Sequence, residues 1–172
     1  DGGAVDGVHV EAYRGIDIDA NAVARNLDQR LHLTASSVED HAREHSSVYD
    51  LIVHFELLAH LTDPTGFMQR ARPLLTADGV MIFTTPNADG LEMVCADHNA
   101  YRLLAHSIFP PMHLNAFSTA NVTHFALRNG FSVLDIQTPG QLDVDMVTVM
   151  RNHLVDDAFC ALADLPEDTK AV

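Results

Sequence analysis

The chain has 172 residues, of which 47% are hydrophobic, with a mean hydropathy of +0.03 and a formal net charge of −14. The length suffices for one domain with a real core. The charge repels a nucleic-acid backbone, which argues against nonspecific DNA or RNA binding, and no apolar run approaches the roughly 18 residues of a membrane span.

Val8 to Ile18 passes from alternating to continuous apolar residues and reads as a strand ending near Asp17. Asp19 caps a predicted helix from Ala20 to about Arg30, with Ala22, Val23 and Leu27 facing inward. Leu31–Ala35 reads as a short strand, and Ser37 caps a segment reaching about Glu44, with Glu39 and Asp40 at its positive end. Tyr49–Val53 is a short β-branched apolar run opened by an acid, the pattern of a buried parallel strand. Asp63-Pro64 starts a helix, Phe67, Met68, Ala71, Leu74 and Leu75 recur at helical spacing, Asp78-Gly79 marks a turn, and Val80–Thr84 is a second buried strand. Strand, helix and strand in that order form a βαβ unit. Such sheets bind ligands beyond the carboxyl ends of their strands. Here those ends are His54-Phe55-Glu56 and Thr85-Pro86-Asn87.

Leu91 to His106 is predicted helical and too long for a tight connection, so an inserted helix or lid is expected over about 91–117. Ser107 to Ala116 contains a Pro-Pro pair and reads as a loop. Ser118 caps a helix to Asn129, Gly130 stops it, and Phe131–Ile136 is a further predicted strand. Asp143 opens an amphipathic helix using Met146, Val147, Val149 and Met150. No linker or repeat divides the chain, so residues 1–172 are expected to form a single domain.

An acid that ends the second strand of an α/β fold can accept hydrogen bonds from both ribose hydroxyls of a nucleotide, and Asp17 fits that place. The alternative is a solvated acid. Ser37-Val38 follows the next strand, where an adenine edge lies in such folds; a plain helix cap is the alternative. Glu56 and His60 are four apart and would share a face on a helical turn. An imidazole titrates near pH ~6.5, so His60 could act as a base, or be structural. The 11 histidines raise the question of metal, but no H-E-x-x-H or C-x-x-C occurs, and none is expected. G-x-S-x-G and G-x-x-x-x-G-K-[ST] are also missing. Cys95 and Cys160 lie far apart, so a reducing cytoplasm is the expected compartment.

The chain resembles class I S-adenosylmethionine-dependent methyltransferases of the small-molecule branch. The resemblance rests on Tyr13–Asp19 (YRGIDID), Tyr49–Pro64, Leu74–Asn87 ending in TTPN, Pro110–Ser118 (PPMHLNAFS) followed by a helix and Asn129-Gly130-Phe131, and Thr138–Asp145 (TPGQLDVD). It implies an α/β, Rossmann-like sheet with helices on both faces and S-adenosylmethionine across its carboxyl edge. Asp17 would bind the ribose and Ile18 would pack on the adenine, with Ser37 and Val38 at the adenine edge. His54, Phe55 and Glu56 would line the methionine end, His60 would lie close by, and His113 and Asn115 would face the substrate. The chain departs from the pattern in several places. The first strand and the closing strand are not evident, and Asp1-Gly2-Gly3 is the expected remnant of the glycine-rich loop. Ser37 replaces an acid, His54 a small residue, and Ala59-His60 a Glu-His pair.

The expected function is methyl transfer from S-adenosylmethionine to a small molecule, with His60 or His113 as base. One alternative is an inactive methyltransferase-like module, paired with a second copy or a partner subunit over an open sheet. Another is a nicotinamide-dependent oxidoreductase, because Asp17 suits that ribose equally well. No nucleic-acid or membrane partner is expected.

Overall fold

The computed structural model describes residues 12–28, 31–90, 110–139 and 151–153, with residues 157, 160, 161 and 164. Residues 91–109 of the lid expected over about 91–117, and the helix opened by Asp143, lie outside the described residues; residues 110–117 are a loop with no helix. In chain order the elements are β1 (Arg14–Asp17), α1 (Ala20–Ala24), β2 (His32–Ala35), α2 (Val38–Glu44), β3 (Tyr49–Phe55), α3 (Pro64–Ala71), β4 (Leu75–Thr84) and α4 (Thr119–Arg128). Tight 3-10 turns lie at Leu58–His60, Arg72–Leu74 and Arg151–His153.

Short-range side-chain chemistry sets the helix starts. Asp19, Ser37, Asp63 and Ser118 each have a side-chain oxygen that accepts an N–H of the helix they open. Ser118 and Asn121 cap each other reciprocally. Gly130 ends α4 at φ +81, where its backbone lies against the Arg72 guanidinium and a side chain would be strained. The helix expected to reach Arg30 stops at Ala24 instead. Asn26 explains the stop: its side chain bonds both the carbonyl and the N–H of Asp28 and draws the backbone out of the helix. Leu27 is consequently 94% exposed, not inward.

β1 pairs with β2 and β3 with β4, both in parallel. α3 crosses between β3 and β4, so the expected βαβ unit is present. The expected turn at Asp78-Gly79 is a bulge within β4 instead. Tyr49 faces Leu75 and Leu51 already faces Val80, so β4 spends three extra residues there. Gly79 permits it, since a Cβ would come within 3.0 Å of the Tyr49 carbonyl. The expected strand at Phe131–Ile136 pairs with nothing among the described residues. A strand needs a neighbouring edge for its backbone groups. Phe131 alone joins the core, while Leu134 is exposed.

The core sits on one face of β3–β4. Leu58, Met68 and Phe117 are buried there, with Phe67, Met81, Phe83 and Phe125 against them. The opposite face of the same pair exposes Leu51, Val53, Phe55 and Ile82. Parallel sheets ordinarily bury both faces; among the described residues this Rossmann-like α/β fold shows two separate strand pairs, with one face of β3–β4 uncovered. An ion pair between Arg70 and Glu39, at 3.2 Å, ties α3 to α2.

Candidate active site

Asp17 closes β1 at the carboxyl edge. Its carbonyl accepts the Ser36 N–H at 2.9 Å, which sets it beside the end of β2. Its Oδ1 accepts the Asp19 N–H at 2.8 Å. Oδ2 makes no hydrogen bond among the described residues, and Ile18, 84% exposed, follows directly. A free carboxylate oxygen beside an uncovered apolar side chain suits the ribose and base of a nucleoside. Ser37 is more committed. Its hydroxyl donates to the Asp40 carboxylate at 2.8 Å and accepts the Asp40 N–H at 3.1 Å. Cap chemistry therefore uses its proton, and Val38 follows as the first residue of α2.

At the end of β3, Phe55 is 64% exposed and Glu56 takes the left-handed conformation at φ 52. That backbone costs a non-glycine residue about 1–2 kcal/mol. It is held by the Glu56 N–H, which donates to the Thr84 carbonyl at 3.0 Å. Such strain concentrates at functional sites. His54 points elsewhere. Its ring stacks on Phe83, centroids 5.0 Å apart and planes 7° apart, and meets the edge of Phe67 at 5.2 Å. Both of its nitrogens are buried without a hydrogen bond, and burial lowers its pKa to about 4. The structure thus sets His54 among the aromatics on the α3 side.

His60 and His113 meet although 52 residues separate His60 from the loop that holds it. Their rings stack at 4.5 Å and 29°. The Nδ1 of His60 lies 2.5 Å from the Met112 carbonyl. His113 has a buried Nδ1 without a partner, and its pKa is lowered by burial first and then by the neighbouring His60; the Glu56 charge opposes the shift. His113 is therefore neutral at neutral pH. The loop carrying it runs past Asn87, which bridges to Phe117, so it sits at the carboxyl end of β4.

The structure thus brings Asp17 to Ser36-Ser37, and Glu56 and His60 to His113. Gly2 and Gly3 lie outside the described residues. Asn115, expected to face substrate, instead turns its amide to the Leu58 and Leu61 carbonyls. A cavity of about 200 Å³ lies elsewhere, lined by Arg14, Ile16, Thr34, His41 and His45 among others. It shares no residue with the His60–His113 cluster. Among the described residues no group of three or more His, Cys, Asp or Glu is placed to hold a metal.

Residues 5–136 match the methyltransferase domain family, and the chain belongs to it. Its fold is that of class I S-adenosylmethionine-dependent methyltransferases. The chain is similar to a putative methyltransferase from Bacillus halodurans (TM-score 0.54, 12% identity, 91% of this chain and 63% of that one). An S-adenosylmethionine-dependent methyltransferase from Archaeoglobus fulgidus gives 0.53 and 11% over 81% of this chain and 66% of that one. A putative methyltransferase solved in complex with the Haloferax volcanii Trm112 methyltransferase activator gives 0.51 and 15%, over 76% and 58%. In sequence, the ubiquinone biosynthesis O-methyltransferase of Cronobacter sakazakii is 31% identical over 88 residues, 48% of this chain and 36% of that protein. The same enzyme of Salmonella paratyphi A is 33% identical over 60 residues, 35% and 25%. The chain thus spans only a quarter to about a third of these curated relatives.

Proposed function

We propose that the chain carries the site of an S-adenosylmethionine-dependent methyltransferase whose acceptor is a hydroxyl oxygen of a small molecule. The observation that carries this reading is the meeting of His60 and His113 just past the end of β3. Two imidazoles there serve a purpose when the acceptor must lose a proton. The similarity to O-methyltransferases supports oxygen as that acceptor.

S-adenosylmethionine supplies a sulfonium methyl that a nucleophile displaces in line. Asp17 accepts the ribose hydroxyls, and Ile18 covers the base. Phe55 and Glu56 line the methionine end. His60 would take the proton that the acceptor oxygen loses on methylation. Alignment contributes much of the rate, and the base typically contributes about 10²–10⁴-fold.

The test is calorimetry with S-adenosylmethionine, followed by transfer of labelled methyl to a panel of phenols and hydroxy acids. Binding, and transfer reduced at least a hundredfold in His60→Phe, are expected. No heat at millimolar ligand with folded protein would sink the reading. A second reading is a subunit covered by a second copy or a partner protein. The face of Leu51, Val53, Phe55 and Ile82, uncovered among the described residues, would suit a partner, as does the analogy of the neighbour solved with an activator. Light scattering tests it; a clean monomer that binds the cofactor would overturn it.

A further inference from the structure

Five hydrogen bonds join the 3-10 turn at Leu58–His60 to the loop at Met112–Asn115. The Ala59 carbonyl accepts the N–H groups of Leu114 (2.7 Å) and Asn115 (3.0 Å). The Asn115 amide donates to the Leu58 carbonyl at 3.1 Å and to the Leu61 carbonyl at 2.6 Å. The fifth bond joins His60 Nδ1 to the Met112 carbonyl. A carbonyl only accepts, so Nδ1 must carry the proton. In a neutral imidazole the other nitrogen, Nε2, is then the lone pair.

We infer that Asn115 is a positioning residue: by clamping both ends of the turn to the loop, it fixes His60 as the Nδ1–H tautomer, with Nε2 offered to the acceptor's proton. This rests on the base role proposed above. Both amide N–H groups of Asn115 are needed, one for each carbonyl. When Nε2 takes the proton, the Nδ1–H bond to Met112 becomes charge-assisted and strengthens. The neutral ring of His113 is stacked on the same His60, so the new charge meets no second cation there.

The experiment is nitrogen NMR of the histidine rings at pH 8 in the wild type, Asn115→Ala, Asn115→Asp and the control Asn129→Ala. Asn129 is buried and donates to the Phe125 carbonyl at 2.8 Å, and among the described residues it bonds neither the His60 turn nor the Met112–Asn115 loop. The wild type and Asn129→Ala should show a single His60 form, protonated at Nδ1. Both Asn115 variants should show mixed tautomers, and transfer to any acceptor found should fall about tenfold with KM for S-adenosylmethionine unchanged. A wild-type His60 protonated at Nε2, or an unchanged His60 signal in folded Asn115→Ala, would overturn the inference. A mixed His60 with undiminished transfer would sink the base role, and with it Asn115's part in the reaction. The spectrum therefore judges the clamp, and the rate judges the base.

Discussion

His54→Phe should stabilise the protein, and more so in acid. The imidazole lies between Phe83 and Phe67 with both nitrogens buried and unpaired. Leaving polar groups in that state costs about 1–3 kcal/mol. Phenylalanine keeps the stacked and edge contacts and removes the polar atoms; its slightly larger ring offsets part of the gain. At pH 8 a gain of about 1 kcal/mol is expected, or roughly 2–4 °C in Tm for a chain this size. The pH dependence is the sharper part. Burial holds the folded-state pKa at about 4, against about 6.5 in an unfolded chain. Below pH 6.5 the unfolded state binds more protons, so stability is lost as pH falls from there to about 4. By pH 5 the loss from His54 alone is about 2 kcal/mol. Partly buried His113 and His41 also have lowered pKa values and act in the same direction, so the measurement is the difference between variant and wild type. Urea melts at pH 8 and pH 5 should show the variant's advantage growing by about 2 kcal/mol. An advantage that is equal at both pH values, or a variant less stable at pH 8, would refute this placement of the ring. S-adenosylmethionine affinity should not change; a tenfold loss would return His54 to the methionine end.

Asp17→Ala should weaken S-adenosylmethionine binding about tenfold to a few hundredfold by calorimetry, since bonds to charged groups contribute roughly 1.5–3 kcal/mol each. Asp19→Ala is its control: it should lose about 1 kcal/mol of stability as a cap and keep its affinity. Ser37→Ala should likewise cost about 1 kcal/mol in thermal melts; a large loss of affinity would show that the serine reaches the adenine after all. Gly130→Ala should cost about 1–2 kcal/mol in urea melts, because the residue sits at φ +81 against Arg72.

The parts of the fold legible in the sequence were those governed by neighbours in the chain. Asp19, Ser37, Asp63 and Ser118 cap the helices they precede because a short polar side chain reaches an N–H two or three residues on. Gly130 stops α4 for an equally local reason. The α1 boundary failed because the apolar period continued to Leu27, while the Asn26 side chain had already captured Asp28. Phe131–Ile136 failed for the opposite reason. Its strand composition is sound, but a strand exists only through a partner edge, and composition says nothing about which edge is available.

The site divides along the same line. The place of Asp17 at the end of β1 was legible because a strand, its terminal acid and a helix cap follow one another directly. The meeting of His60 with His113 was not readable from spacing; it came from the ordered resemblance of PPMHLNAFS to a family pattern. Asn115 was misread within that motif because its partners are backbone carbonyls, which leave no mark in a sequence. Those carbonyls lie at a 3-10 turn, where the Leu58 carbonyl has a local donor only in the Leu61 N–H, at 3.4 Å, and the end of such a turn leaves acceptors open to outside donors. A helix continuing from His60 would have matched them locally, but Asp63-Pro64 starts a new helix instead. The donors therefore come from a loop more than fifty residues away. The pose of His60 is in this way a tertiary property. It forms only when the loop docks, so the same contact brings His60 and His113 together.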